Sequence, residues 1–140
     1  MRAPVDSLRA VPLFAELSKK DLQSLAGSMH ERHFKAGEEV LLEGEGGIGF
    51  FVVLDGRARI TLHGEDRGTI GPGEYFGEMA VIDGGDRSAT VRAEDDLRCG
   101  AITAWNFRPF VRQHPDVAWS LLTTLVKRLR ASDARQPAAG

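Results

Sequence analysis

Short apolar runs that end at glycine fill the middle of this chain, and this alternation constrains the fold more than any other feature. Between residues 32 and 103 the runs, FFVVLDG and ARITLHG among them, are rich in β-branched and aromatic residues. Short strands at such spacing are typical of a β-sandwich or barrel. The dipeptide DG at 55–56 and the HGED segment at 63–66 are hairpin signals, and GPG at 71–73 predicts a turn. The middle block is therefore predicted to be all β.

Helical patterns lie on both sides of this block. Residues 18–29 begin with Ser18 as an N-cap and carry Asp21 at the third helical position, a capping box in its shorter-acid form. Near the end of the chain, Pro115 predicts the first turn of a closing helix, where proline is tolerated. That helix has an apolar stripe at spacings of three and four residues, which is predicted to be covered against the barrel mouth. The stripe consists of Val117, Leu121, Leu122, Leu125, Val126 and Leu129.

The closing helices carry further signals. Trp105 and Trp119 stand at helical positions consistent with packing. The cations Lys127, Arg128 and Arg130 fall in the last turns of the final helix, where its dipole favours positive charge. The row formed by Leu121, Leu125 and Leu129 could support a weak pairing of two chains, so that a monomer and a weak homodimer both remain open.

A chain of 140 residues fits one domain. We predict a mainly β fold with flanking α-helices, a β-barrel or jelly roll (double-stranded β-helix). The single domain covers residues 1–133, with a helical start over 1–30, the β-barrel over 31–104 and closing helices over 105–133. A flexible tail is expected over the remaining residues, 134–140.

Composition and residue inventory disfavour several functions. A formal net charge of −2 provides no basic field for nucleic-acid binding. The single cysteine, Cys99, allows neither an intramolecular disulfide nor a cysteine metal cluster, and it has no obvious histidine base. His30 and His33 lack a convincing third metal ligand. With no long apolar run for a signal peptide or membrane span, we expect a cytoplasmic protein without membrane contact, metal or catalysis.

Residues 75–93, YFGEMAVIDGGDRSATVRA, carry the strongest functional signal. A glycine-led turn offers backbone N–H groups, and Arg87 followed by the Ser88 hydroxyl supplies what is needed to hold a phosphate diester. Glu78, nine residues before Arg87, could accept a sugar hydroxyl at the other end of the same pocket. A sugar at one end and a phosphate at the other describe a nucleotide.

Each of these residues also has a simpler interpretation. Arg87 could be a surface arginine paired with Asp83 or Asp86. Glu78 could be only the N-terminal acid of a short helix, although an acid flanked by apolar residues usually needs a partner. Ser88 could be an ordinary strand residue.

Taken in order, four segments resemble the cyclic nucleotide-binding domain family, which is shared by catabolite activator protein-type regulators, kinase regulatory subunits and gated channels. The segments are GEGGIGFFVVLDGRARI, GPGEYFGEMAV, DRSATVRA and FRPFVRQHPDVAWSLLTTLVKRLR. The resemblance extends from about Leu13 to Asp133. Within it, the most specific element is Gly77-Glu78 followed nine residues later by Arg87-Ser88-Ala89 in an all-β block.

The resemblance implies a role for each matching residue. Glu78 would accept the ribose 2′-hydroxyl, and Arg87 would pair with the exocyclic phosphate oxygens. Ser132 would contact the base from the closing helix, where the next residue, Asp133, lacks the hydroxyl that bacterial regulators place there. The full set of implied ligand-binding residues is Gly77, Glu78, Met79, Ala80, Arg87, Ser88, Ala89 and Ser132.

These observations predict a cyclic nucleotide sensor that changes the pose of its closing helix for a protein partner to read. Ser88 resembles the bacterial-type cAMP site, whereas a threonine there would have suggested cGMP. No further cofactor is implied, and the absence of a winged helix-turn-helix after the closing helix argues against DNA binding. The alternatives are a degenerate relative that acts as a ligand-free interaction module, and an enzyme of the cupin type, which would need metal ligands that the sequence does not offer.

Overall fold

Two antiparallel sheets face each other in the computed structural model of this chain, which describes residues 4–41, 49–84 and 89–135. Helices lie before and after the strands, one short helix lies between two of the strands, and a 3₁₀ turn, Pro12–Phe14, follows the first helix. The helices are α1 (Val5–Arg9), α2 (Lys19–Ser28), α3 (Glu78–Asp83), α4 (Ala104–Gln113) and α5 (Pro115–Arg135). The strands are β1 (His30–Phe34), β2 (Glu39–Leu41), β3 (Gly49–Asp55), β4 (Ala58–Leu62), β5 (Glu65–Ile70), β6 (Tyr75–Phe76), β7 (Thr90–Ala93) and β8 (Leu97–Thr103).

The described strands form two four-stranded sheets with a jelly-roll arrangement. Sheet A has the order β1-β8-β3-β6, and sheet B has the order β2-β7-β4-β5. Every pairing is antiparallel, and the strands within the described ranges do not close into a barrel. The predicted mainly β jelly roll with flanking helices is confirmed, in its open two-sheet form.

Sheet A has an apolar layer on each of its faces. Along β3, Phe50 and Val52 pack against the helices, whereas Phe51 and Val53 pack between the two sheets. Side chains alternate between the faces of a strand, so a strand that is buried on both faces appears in the sequence as a continuous apolar run. The FFVV run of β3 thus reflects its position between the helical layer and sheet B.

Local turn chemistry explains the β4–β5 hairpin. His63 and Gly64 form the two-residue connection, with φ of 51° and 79°. Positive φ at both central residues is what a type I′ hairpin turn requires, so the predicted hairpin is confirmed.

The hairpin predicted at Asp55-Gly56 is wrong, because β3 belongs to sheet A and β4 to sheet B. The chain crosses between sheets at this point. Gly56 has a φ of +82°, and a Cβ atom there would lie 2.2 Å from the backbone oxygen of Asp96. The glycine is therefore needed because another loop passes close to its backbone, and the DG signal marks a crossing.

Two predicted helix starts are confirmed. Ser18 caps α2, since its Oγ accepts a hydrogen bond of 3.1 Å from the Asp21 backbone N–H. Pro115 is the first residue of α5, which extends to Arg135, two residues beyond the predicted closing helices. The last residues of the predicted tail, 136–140, lie outside the described part of the chain.

The predicted covering of the α5 stripe is wrong over most of its length. Val117 and Leu121 are buried, whereas Leu122, Val126 and Leu129 are exposed. The helix has 21 residues and spans about 30 Å, and its buried positions are near its start. None of the helices in the described ranges has the length and apolarity needed to span a membrane.

The predicted packing of Trp105 and Trp119 is also wrong, since these side chains are 84% and 72% exposed. On each helix the positions that face the core are occupied by other residues, Phe107 on α4 and Leu121 on α5. Helical position alone did not identify which face meets the core.

Candidate functional site

A left-handed glycine turns the chain from β6 into α3 and brings a carboxylate into the interior. Gly77 has a φ of +88°, a conformation that glycine adopts without the steric cost of a Cβ atom. Glu78 opens α3 directly after it and is only 3% exposed. The acid therefore lies both at a helix N-terminus and in buried surroundings, so both interpretations of its sequence position apply.

Arg128 on α5 supplies the partner that this buried acid needs. Its Nη1 donates to Glu78 Oε1 at 2.5 Å. Its guanidinium carbon also lies 5.7 Å from the ring centroid of Tyr75, close enough for a cation–π contact. The Glu78 side chain is 4% exposed and that of Arg128 is 48% exposed, so the pair reaches from the interior to solvent.

The sequence assigned Arg128 only to the helix dipole and missed this contact. One feature of the sequence could have predicted that Arg128 lies on the same side of the helix as the proposed site. Arg128 precedes the predicted base contact Ser132 by four residues, which places the two on the same helical face one turn apart.

Tyr75 forms the apolar floor beneath the ion pair. Its ring lies 5.3 Å from that of Phe50 in a tilted contact, and the residue is 7% exposed. Burial raises the pKa of the Tyr75 phenol, and the negative charge of Glu78 adds to this, whereas the nearby Thr124 side chain and the charge of Arg128 oppose it. The phenol therefore stays neutral at physiological pH and does not compete with Glu78 for the positive charge of Arg128.

Helix α4 holds α3 in place. Arg108 Nε donates to the backbone oxygen of Val81 at 2.7 Å, which satisfies a carbonyl on this short helix. Val81 itself is buried in the same core cluster as Phe107 of α4. Glu78 is thus positioned by a strand, a glycine turn and a neighbouring helix.

The chain passes from sheet A to sheet B after α3. Its β6 strand pairs in sheet A and its β7 strand in sheet B. Gly84, with a φ of +73°, and the half-buried Ala89 are the described ends of the connection. The predicted phosphate residues Arg87 and Ser88 lie outside the described residues, as does the proposed alternative pairing of Arg87 with Asp86.

The other predicted site residues occupy two helices. Met79 is on α3 and 49% exposed, and Ala80 follows it within the same helix. Ser132 belongs to α5, and its side chain is not described. The structure therefore brings together Gly77, Glu78 and the additional residue Arg128. Within the described ranges, no three histidine, cysteine, aspartate or glutamate side chains are grouped as a metal site.

Comparison with protein families gives a direct match. The family model described as the cyclic nucleotide-binding domain matches residues 31–114. The chain is 30% identical over 131 residues to the cyclic AMP receptor protein of Thermus thermophilus, covering 90% of this chain and 61% of that protein. It is 36% identical over 103 residues to the cAMP-dependent protein kinase regulatory subunit of Mycosarcoma maydis, covering 69% of this chain and 20% of the relative. The chain thus spans less than two thirds of either relative.

Solved structures show the same fold. The crystal structure of the Thermus thermophilus catabolite activator protein superimposes with a TM-score of 0.78 at 31% identity, covering 89% of this chain and 61% of that one. A chain described as "Sp-2Cl-cAMPS bound to PKAR CBD2" superimposes with a TM-score of 0.79 at 23% identity, covering 91% and 88%. The second likeness concerns the fold alone.

Proposed function

Because the chain belongs to the cyclic nucleotide-binding domain family, we propose that it is a cAMP sensor that reports ligand binding to a protein partner through α5. The observation that carries the proposal is the Glu78–Arg128 pair, which connects α3, the helix proposed to face the ligand, directly to α5. A ligand that contacts either residue changes the surroundings of both helices.

Glu78 is proposed to accept the ribose 2′-hydroxyl. Arg128 engages its Oε1, and an ionised carboxylate offers about four acceptor positions on its two oxygens. The same carboxylate can therefore hold Arg128 and a ribose hydroxyl. Gly77 and the start of α3 supply backbone on this side of the ligand, with Met79 and Ala80 following.

Arg87 is proposed to hold the exocyclic phosphate oxygens, with Ser88 and Ala89 completing the phosphate contact. A planar guanidinium can bridge two phosphate oxygens, and hydrogen bonds to charged groups contribute roughly 1.5 to 3 kcal/mol each. Ser132 on α5 is proposed to meet the base, which would place the ligand between the sheets' connecting loop and α5.

Movement of α5 is proposed as the output. Much of this helix has little buried surface, since the buried residues among its described side chains, Val117 and Leu121, lie in its first turns. Clefts of about 560 and 500 Å³ border it, one beside Val81 and Phe107, the other beside Tyr75 and Thr124. A ligand shifts such a helix to the extent that it binds one helix position more tightly than another.

The choice of cAMP rests on two supports. Ser88 is the residue that the bacterial-type cAMP site carries, and the relatives reported above are named for cyclic AMP. We propose cGMP as the weaker ligand. In this proposal the domain binds and signals without catalysis, and both the partner and the monomer or weak homodimer state stay predictions.

Thermal unfolding with excess cAMP, cGMP or AMP tests the proposal. At about 100 times the dissociation constant, a ligand adds about 2.7 kcal/mol of stability, which is a shift of several degrees for a domain of this size. We expect a shift with cAMP, a smaller one with cGMP and none with AMP. The Arg87→Ala variant should lose the shift, whereas Arg67→Ala, an exposed arginine on β5, should retain it. Equal shifts in the unmutated protein and in Arg87→Ala would show that Arg87 does not bind the ligand.

A ligand-free interaction module is the second candidate, and one observation favours it. Four apolar side chains are exposed along one side of α5, which suits contact with a protein. They are Trp119, Leu122, Val126 and Leu129. If none of the three nucleotides shifts the melting temperature, this candidate replaces the sensor.

A further inference from the structure

His114 connects three helices at the point where α5 begins. Its backbone N–H donates to the Val111 oxygen at the end of α4, and its own oxygen accepts from Val117 in the first turn of α5. Its side chain stacks on Phe110, with ring centroids 4.2 Å apart. The imidazole Nε2 lies 3.3 Å from Oδ2 of Asp21 on α2, at ion-pair distance.

The hydrogen bond at the other ring nitrogen determines which protonation states fit. His114 Nδ1 lies 2.8 Å from the backbone oxygen of Phe110. A carbonyl oxygen can only accept, so Nδ1 must carry a proton and donate it. In a neutral imidazole with this tautomer, Nε2 is an unprotonated acceptor that faces a carboxylate oxygen. The Nε2 contact becomes attractive only when the ring is the doubly protonated imidazolium.

The charged groups near this ring lie on three helices. Among the described residues, Asp21 on α2 is the charged side chain in contact with the imidazole. The nearest charges along the chain are Arg112 in the last turn of α4 and Asp116 in the first turn of α5, both exposed, and Lys20 beside Asp21 is exposed as well. The His114 side chain is 18% exposed and that of Asp21 is 44% exposed, so solvent screens the contact in part.

We propose that His114 forms a proton-dependent ion pair with Asp21, which links α2 to the junction of α4 with α5. Histidine changes its charge between about pH 5 and 8. At acidic pH the imidazolium attracts the Asp21 carboxylate, and this ion pair links α2 to the start of α5. As the pH rises the proton leaves Nε2 and the attraction is lost, while the Phe110 contact remains. This inference does not depend on any nucleotide.

A double-mutant cycle with His114→Asn and Asp21→Asn, followed by urea unfolding at pH 5.5 and pH 8, tests this ion pair. The asparagine amide takes the position of the Nδ1 atom, so it can still donate to the Phe110 oxygen, but it does not titrate and does not reach Asp21 as Nε2 does. The cycle also cancels the separate effect of Asp21 on the α2 dipole. At pH 5.5 we expect a coupling of about two- to fivefold in the unfolding equilibrium constant, the range of partly exposed ion pairs. At pH 8 the coupling should disappear, and equal coupling at both pH values, or none at either, would overturn the proposal.

His33→Asn is the matched control. His33 also faces a carboxylate, Glu31, at 3.2 Å, but its side chain is 69% exposed. The effect of the His33 substitution on the free energy of unfolding should be the same in the unmutated protein and in the Asp21→Asn variant. Nitrogen NMR of the histidine rings in the unmutated protein gives a second readout that needs no variant. A proton on Nδ1 of His114 alone is expected at pH 8, and a proton on Nε2 alone at that pH would contradict the proposal.

Discussion

Glu78 Oε1 and Arg128 Nη1 lie 2.5 Å apart, although fifty residues separate them in the chain. The carboxylate is buried at the start of α3, and the guanidinium is half exposed on α5. The pair therefore links an exposed stretch of α5 to the buried start of α3 in the proposed ligand site. Its removal should affect both the stability of the domain and the position of the helix.

Replacing Arg128 by alanine should lower the free energy of unfolding by about 1–3 kcal/mol, the cost of leaving a buried group without its partner. Half exposure of the arginine keeps the loss below that of a fully buried pair. Arg130→Ala, at an exposed position on the same helix, should change stability by less than about 0.5 kcal/mol. Urea unfolding of both variants without ligand checks this, and equal effects would mean that the ion pair contributes nothing specific.

Glu78→Gln should weaken the binding of cAMP through its ribose. A ligand that lacks the 2′-hydroxyl has already lost the contact with Glu78, so 2′-deoxy-cAMP should lose little further affinity in this variant. Calorimetric titration of both ligands against both proteins measures the coupling. Fully additive losses would show that Glu78 and the 2′-hydroxyl do not meet.

Gly56→Ala and Gly37→Ala separate backbone strain from steric overlap. Both glycines have positive φ, +82° and +90°, but an added Cβ would lie 2.2 Å from the Asp96 oxygen only at Gly56, with nothing within 4 Å at Gly37. Alanine at Gly37 should cost about 1–2 kcal/mol for the left-handed conformation alone. The Gly56 variant should lose clearly more or fail to fold, and thermal unfolding that ranked the two equally would contradict the close approach.

Adjacent leucines on α5 should respond very differently to truncation. Leu121 is 3% exposed and Leu122 is 53% exposed. Leu121→Ala should cost about 2–5 kcal/mol, as large-to-small substitutions in cores do. Leu122→Ala should stay within about 0.5 kcal/mol, as surface changes do. Denaturant midpoints of the two variants test which face of the helix meets the core.

Cys99 should make the folded protein sensitive to alkali. Burial raises the pKa of the Cys99 thiol from 9.0 to about 12, with the charge of Arg32 opposing the shift. The folded state then binds the proton more tightly than the unfolded state, so this contribution to stability is complete below pH 9 and falls as the pH rises toward 12.

The Cys99→Ala variant checks this prediction. Its stability should fall less steeply than that of the parent between pH 9 and 12, while the buried Tyr75 phenol still titrates in both proteins. At neutral pH the folded parent should resist a thiol reagent and react once it is unfolded in urea. Rapid labelling of the folded parent would contradict the burial of the thiol.

Features that depend on neighbouring residues were predictable from the sequence. The Ser18 cap of α2, the His63-Gly64 hairpin and the Pro115 start of α5 are set by local backbone chemistry, and all three agree with the structure. The short glycine-bounded runs likewise predicted the strands in the middle of the chain, but the prediction that this block is all β is wrong at the short helix α3 between β6 and β7. Glu78 could be singled out because a lone acid among apolar residues needs a partner.

Relations between distant parts of the chain were decided by the tertiary structure. Three findings depend on how the elements pack, which sequence periodicity does not encode. They are the pairing of Arg128 with Glu78, the crossing between sheets at Gly56 and the exposure of Trp119. An amphipathic pattern identifies an apolar face but not how much of it another element covers. Sequence alone determined the strands, the caps and the candidate acid, because their causes lie within a few residues. The packing of α5 determined the charge that faces this acid, because that contact joins residues fifty positions apart.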